Sequence, residues 1–120
     1  MNMPKHIVVA SDHAGFALKE IIKKYLKSKG VNIIDVKSAL EEEDDYPAIV
    51  RDGCKEVLAK KCFGIVFGGS GNGEAMAANK VKGIRCAVCY TEEVAWLART
   101  HNDANVMSLG GRCTDPDVAK

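Results

Sequence analysis

The stretch Phe63-Gly64-Ile65-Val66-Phe67-Gly68-Gly69-Ser70-Gly71-Asn72-Gly73-Glu74-Ala75-Met76-Ala77-Ala78-Asn79-Lys80 decides the fold. Phe63 to Phe67 is a short apolar run of strand composition. The next six residues, Gly68 to Gly73, hold four glycines and form a tight turn. Glu74 to Lys80 then has the composition of a short helix. A strand, a glycine turn and a helix in immediate succession make one βα unit.

The same alternation extends outward in both directions. Upstream, His6 to Ser11 is a β-branched run and a buried strand. From Gly15 to Lys29, Phe16, Leu18, Ile21, Ile22, Tyr25 and Leu26 recur at helical spacing. Lys19, Glu20, Lys23, Lys24 and Lys27 stand between them, so the spacing predicts a helix with one buried face. Gly30 closes it, and Val31 to Val36 is a second strand. Lys37 to Tyr46 is a loop carrying the acidic run Glu41 to Asp45, which is best solvated. Pro47 suits the first position of a helix reaching about Lys61.

Downstream, Arg85 to Tyr90 is a fourth strand. Thr91-Glu92-Glu93 caps a helix through about Thr100, with Val94, Leu97 and Ala98 inward and Trp96 in packing. Asn105 to Leu109 is a fifth strand, closed by Gly110-Gly111-Arg112. Five strands alternating with four helices require crossover connections and hence parallel pairing. The expected fold is α/β: a Rossmann-like three-layer sandwich with a five-stranded parallel sheet, a single domain over residues 1–120. Periodicity leaves the strand order open. Thr114-Asp115-Pro116-Asp117 has the pattern of a helix start, yet the chain stops at Lys120, so a C-terminal helix is expected to be missing from it.

Composition narrows the partners. Apolar residues make up 47% and charged ones 28% of 120 residues, an ordinary globular balance. Seventeen basic against sixteen acidic residues give +1, so no overall field draws the chain to nucleic acid or to an acidic membrane. No run approaches the roughly 20 apolar residues of a membrane helix. The N-terminal residues lack the apolar segment of a signal peptide, which implies a cytoplasmic address. Cys54, Cys62, Cys86, Cys89 and Cys113 are odd in number and are expected as reduced, structural thiols. Cys86 and Cys89 are spaced as a CxxC, but on a strand positions three apart face opposite ways and do not converge.

Ligands of open α/β sheets bind beyond the carboxyl ends of the strands. Those ends are Ser11-Asp12-His13-Ala14-Gly15, the turn Gly68 to Glu74, and Gly110-Gly111-Arg112. The polar triplet His101-Asn102-Asp103 instead precedes strand five. The glycine turn presents successive N–H groups at a helix start, a nest for an anion or a developing oxyanion. It is not a P-loop, because no Lys-Ser/Thr follows Gly73. Glu74 sits in the first helical turn, where the dipole alone favours a carboxylate. A carboxylate beside oriented N–H donors is also what proton abstraction next to a carbonyl requires. Asp12 fits either a turn cap or a site residue. His13 and Arg112 are natural anion partners, while His101 also suits a helix C-terminus and His6 is structural. A non-catalytic phosphate- or nucleotide-binding module is the competing reading.

Ser11-Asp12-His13-Ala14-Gly15, Asp45-Tyr46-Pro47, Gly68 to Glu74, Ala77-Ala78-Asn79-Lys80, Gly83-Ile84-Arg85 and His101-Asn102-Asp103-Ala104-Asn105-Val106 together resemble the ribose-5-phosphate isomerase B family. The resemblance spans about residues 6 to 112. It implies an aldose–ketose isomerase, without metal or organic cofactor, that interconverts ribose 5-phosphate and ribulose 5-phosphate through an enediolate. One subgroup carries a Cys where this chain has Gly68; the other uses a Glu at the position of Glu74, which this chain matches.

By resemblance, Glu74 shuttles the proton and the N–H groups of Gly71, Asn72, Gly73 and Glu74 hold the enediolate. Asp12, Ser70 and His101 open the ring and hold hydroxyls, Tyr46 and Asn102 line the site, and His13 and Arg112 bind phosphate. The resemblance further implies a homodimer, or a dimer of dimers, with sites shared between subunits. The related galactose-6-phosphate isomerase subunits make a hexose 6-phosphate the alternative substrate.

Overall fold

The structure is a computed structural model that describes residues 5–12, 14–36 and 46–111, with the backbone alone for 46–48. Its elements run β1 (His6–Ser11), α1 (Phe16–Ser28), β2 (Asn32–Asp35), α2 (Tyr46–Lys60), β3 (Phe63–Gly68), α3 (Asn72–Asn79), β4 (Cys86–Val88), α4 (Glu92–Asn102) and β5 (Val106–Gly110). The five strands form one parallel sheet in the order β2-β1-β3-β5-β4. The expected α/β sandwich is therefore present, and the strand order that periodicity left open is settled. His13, Arg112, Cys113, the side chain of Tyr46 and the segment Thr114 to Asp117 lie outside the described residues.

Two apolar layers sandwich the sheet. On one face Ile7, Val9, Ile65, Phe67 and Leu109 meet Leu18, Ile22 and Leu26 of α1, with Ala95 of α4 alongside. On the other, Val8, Ala10, Val66 and Val106 meet Val50, Cys54 and Val57 of α2 and Ala78 of α3. Alternate residues of β1 and β3 thus serve opposite layers, which explains why these strands are apolar throughout. Cys89 belongs to the first layer and Cys86 packs against the second, so the CxxC spacing separates the two sulfurs as strand geometry demands. Cys54, Cys62, Cys86 and Cys89 are free thiols.

Local chemistry sets the ends of the elements. Gly30, at φ +84°, ends α1 in a Schellman motif: Val31 N–H donates to Leu26 O at 3.1 Å and Gly30 N–H to Lys27 O at 3.0 Å. Thr91 Oγ1 accepts from Val94 N–H at 3.1 Å and opens α4. β4 is shorter than expected, three residues at the edge of the sheet.

Expectations about packing on α4 and α1 are corrected. Val94 and Leu97 are 42% and 36% exposed and Trp96 57%, so none is buried in the core. The reason is that α4 leans on the short edge strand β4, which is wide enough to cover Ala98 and Ala95 but not a second apolar row. On α1, Ile21 is exposed, whereas Lys19 is 0% exposed. Lys19 Nζ donates to both carboxylate oxygens of Asp35 at the end of β2, at 3.0 and 3.1 Å, and sits 4.6 Å from the Phe16 ring centroid. Lys23 reaches the same carboxylate at 2.8 Å, and that bond raises its pKa. Asp35 meets the buried charge with two hydrogen bonds, which offsets the cost of burying it.

Candidate active site

The direction of winding reverses between β1 and β3. From β1 the chain passes to α1 on one face, and from β3 to α3 on the other. The crevice beyond the carboxyl ends of these adjacent strands is the switch point at which open α/β sheets hold ligands. Three loops meet there. Asp12 N–H donates to Phe67 O at 3.3 Å, and Gly111 N–H donates to Gly68 O at 2.6 Å, tying the ends of β1, β3 and β5 together. Asp12 Oδ1 accepts from Gly15 N–H at 3.0 Å, which closes the turn into α1.

The glycine turn is built for α3. Gly71 adopts φ +89°, ψ −11° as the residue before the helix, a left-handed conformation that a side chain would strain. The chain then enters α3 with the N–H groups of Asn72, Gly73 and Glu74 in the first turn, where no intrahelical acceptor exists. Ser70 Oγ accepts from Asn72 N–H at 3.2 Å. These groups and the helix dipole make an electropositive spot at the crevice.

Glu74 lies at that spot and is only 5% exposed. Its pKa is pushed up to about 7, first by burial, which disfavours the charged form, and then by a hydrogen bond with Asp12 and by Asp12's charge; its own backbone N–H pulls the other way. Near neutral pH such a group both takes and returns a proton. Gly68 makes room for it, since a Cβ at position 68 would overlap the Glu74 carboxyl group.

Of the candidate residues, Asp12, Ser70, Gly71, Asn72, Gly73 and Glu74 converge on the crevice. His101 and Asn102 do not. They end α4, whose return leads into the start of β5, at the amino edge of the sheet. A five-residue strand separates the two edges by on the order of 15–20 Å. His101 packs its ring against Trp96 at a centroid distance of 6.2 Å, and the Asn102 carbonyl accepts from Arg85 Nε at 2.6 Å. Among the described residues no three His, Cys, Asp or Glu side chains converge as metal ligands would, and no helix is long and apolar enough to cross a membrane.

Sequence reasoning overlooked two hydroxyls. Tyr90 Oη donates to the Ser70 carbonyl at 2.8 Å, and the buried Ser108 Oγ donates to the Gly71 carbonyl at 2.6 Å. Ser108 lies in β5 and Tyr90 just after β4, both far from the turn in sequence, so only the sheet order could have pointed to them.

Fold and crevice define an α/β protein that can hold an anionic ligand against a carboxyl group able to move a proton. The chain belongs to the Ribose/Galactose Isomerase family, which it matches over residues 7–120. Among its relatives, the ribose-5-phosphate isomerase B of Mycolicibacterium paratuberculosis is 45% identical over 108 residues, covering 88% of this chain and 68% of the relative. The solved structure of the Clostridium thermocellum ribose-5-phosphate isomerase B superposes with a TM-score of 0.91 at 42% identity, covering 95% of this chain and 78% of that one. That of the Mycoplasma genitalium enzyme, with bound ribulose-5-phosphate, gives 0.88 at 38% identity, covering 95% and 77%.

Proposed function

We propose that residues 1–120 act as one isomerase domain that interconverts ribose 5-phosphate and ribulose 5-phosphate, with Glu74 as the base. The observation that carries this reading is a buried carboxyl group, its pKa pushed up to about 7, in the first turn of α3 beside the N–H groups of the glycine turn. The names of the relatives point the same way.

The geometry suits the following course. The open-chain aldose presents its C1 carbonyl to the first-turn N–H groups. Glu74 carboxylate removes the proton on C2, the C2–H electron pair forms the C1–C2 double bond, and the carbonyl π pair moves onto O1. The enediolate oxygen is met by dipoles already in place. Glu74, now a carboxylic acid, returns the proton to C1 while O2 gives its proton to O1, and C2 becomes the ketone. In this reading Asp12 and Ser70 serve ring opening and the hydroxyls, and His13 and Arg112 take the phosphate.

His101 and Asn102 stand at the opposite sheet edge, so they reach the sugar only from a second copy of the chain. The reading therefore includes a homodimer, or a dimer of dimers, with shared sites, working in the cytoplasm. The description of the family also covers galactose isomerases, which favours a hexose 6-phosphate as the second reading. Comparing kcat/KM for ribose, allose and galactose phosphates separates the two.

The test is turnover of ribose 5-phosphate in deuterated water with a chelator present. The expected result is undiminished isomerisation, with solvent deuterium entering C1 or C2. Tight binding without turnover or exchange would instead identify a phosphate-binding module.

A further inference from the structure

In a trans peptide the carbonyl of one residue and the N–H of the next point in opposite directions. Whatever grips a carbonyl therefore aims the following N–H. Two consecutive carbonyls just before α3 are gripped by side-chain hydroxyls. Tyr90 follows β4, and its side chain spans the end of β5 to reach the Ser70 carbonyl beyond β3, at 2.8 Å. Ser108, fully buried in β5, holds the Gly71 carbonyl at 2.6 Å. The same Gly71 carbonyl accepts the Ala75 N–H at 3.0 Å. The N–H groups aimed in this way are those of Gly71 and Asn72, of which Asn72 N–H is shared with Ser70 Oγ at 3.2 Å. A Cβ at Gly71 would come within 2.9 Å of Ser108 Oγ, so the hydroxyl also closes the space beneath the left-handed turn.

From this geometry we infer that Tyr90 and Ser108 are positioning residues of the isomerase: their two hydroxyls hold the glycine turn so that its N–H groups meet the enediolate oxygen. The inference rests on the isomerase reading above. Neither side chain touches the sugar. Their contribution falls on the charged intermediate and not on the phosphate, because only the intermediate places negative charge on the oxygen that these amides face.

Tyr90→Phe and Ser108→Ala test it, singly and combined. Tyr90 is partly exposed and the Gly71 carbonyl keeps its Ala75 partner, so both changes are expected to leave the fold intact, which the Tm of each variant checks. The double variant is expected to lose about 10- to 100-fold in kcat. Its KM for ribose 5-phosphate and its inhibition by inorganic phosphate should stay near wild type, while a phosphorylated hydroxamate that mimics the enediolate loses affinity by the same factor as kcat. The amide resonances of Gly71 and Asn72 should move in the ligand-free variant. Wild-type kcat in the double variant, or unmoved amide resonances, would overturn the inference. A wild-type chain that turns over no ribose 5-phosphate would overturn the isomerase reading instead, and the amide resonances would still report on the grip.

Discussion

The Glu74 carboxyl group fills the space that a side chain at Gly68 would need. One residue ends β3 and the other sits in the first turn of α3, and the pair works as a seat and its occupant. A glycine at 68 is thus part of the base's machinery although it has no side chain. Gly68→Ala is expected to push the carboxyl group out of place and to lower kcat by about 10²-fold or more, within the usual contribution of a positioned base. Stopped-time isomerase assays on the purified variant check it; wild-type turnover would mean that the carboxyl group reacts from elsewhere.

The rate should follow the ionisation of Glu74. Burial and Asp12 raise its pKa to about 7, so the reactive carboxylate becomes the main form only above that value. We expect kcat/KM to rise with pH through about 7. Asp12→Asn removes two of the raising influences and should shift the inflection toward acid, although burial, the larger cause, stays. A pH–rate profile of both proteins reads this directly.

The same shift makes Glu74 a cost to the fold. Its folded pKa lies above its ordinary 4.5, so the folded chain binds the proton more tightly than the unfolded one. Stability is full below about pH 4.5 and falls as pH rises to about 7, by about 3 kcal/mol in order of magnitude. Glu74→Gln, which cannot ionise, should therefore gain several degrees of Tm over wild type at pH 8 and little at pH 5. An equal difference at both values would contradict a raised pKa.

The buried ion pair on α1 predicts an asymmetry. Asp35→Ala removes the bidentate carboxylate from the fully buried Lys19 ammonium, and among the described residues Glu20 lies 3.8 Å away. Lys19→Met leaves Asp35 paired with Lys23 at 2.8 Å. Breaking a buried pair from the side that strands a charge costs about 3–5 kcal/mol. Asp35→Ala is expected to cost about that much and Lys19→Met clearly less, as urea denaturation would measure.

What could be read from the sequence was what local chemistry controls. Gly30 after an amphipathic run, Thr91 before one, and the glycine turn between a strand and a helix each specify their structure within a few neighbouring residues. The opposite facing of Cys86 and Cys89 needed only the period of a strand. Glu74 stood out because its neighbours in sequence are also its neighbours in space. Other features depend on the order in which strands lie side by side. Lys19 and Asp35 are 16 residues apart, Tyr90 and Ser70 20, and Ser108 and Gly71 37. Nothing in their local composition distinguishes Lys19 from the solvated lysines of the same helix. Val94, Trp96 and Leu97 have the spacing of a buried face, but the sheet beneath them ends at a three-residue strand. His101 and Asn102 are close to the site in motif and far from it within one chain.

The central claim is that one carboxyl group moves the proton. Turnover of ribose 5-phosphate by Glu74→Gln, measured beside wild type with a chelator present, tests it most directly. A loss of about 10²–10⁴-fold in kcat, with the binding of phosphate-bearing ligands retained, is the result this account predicts. Turnover equal to wild type would contradict it.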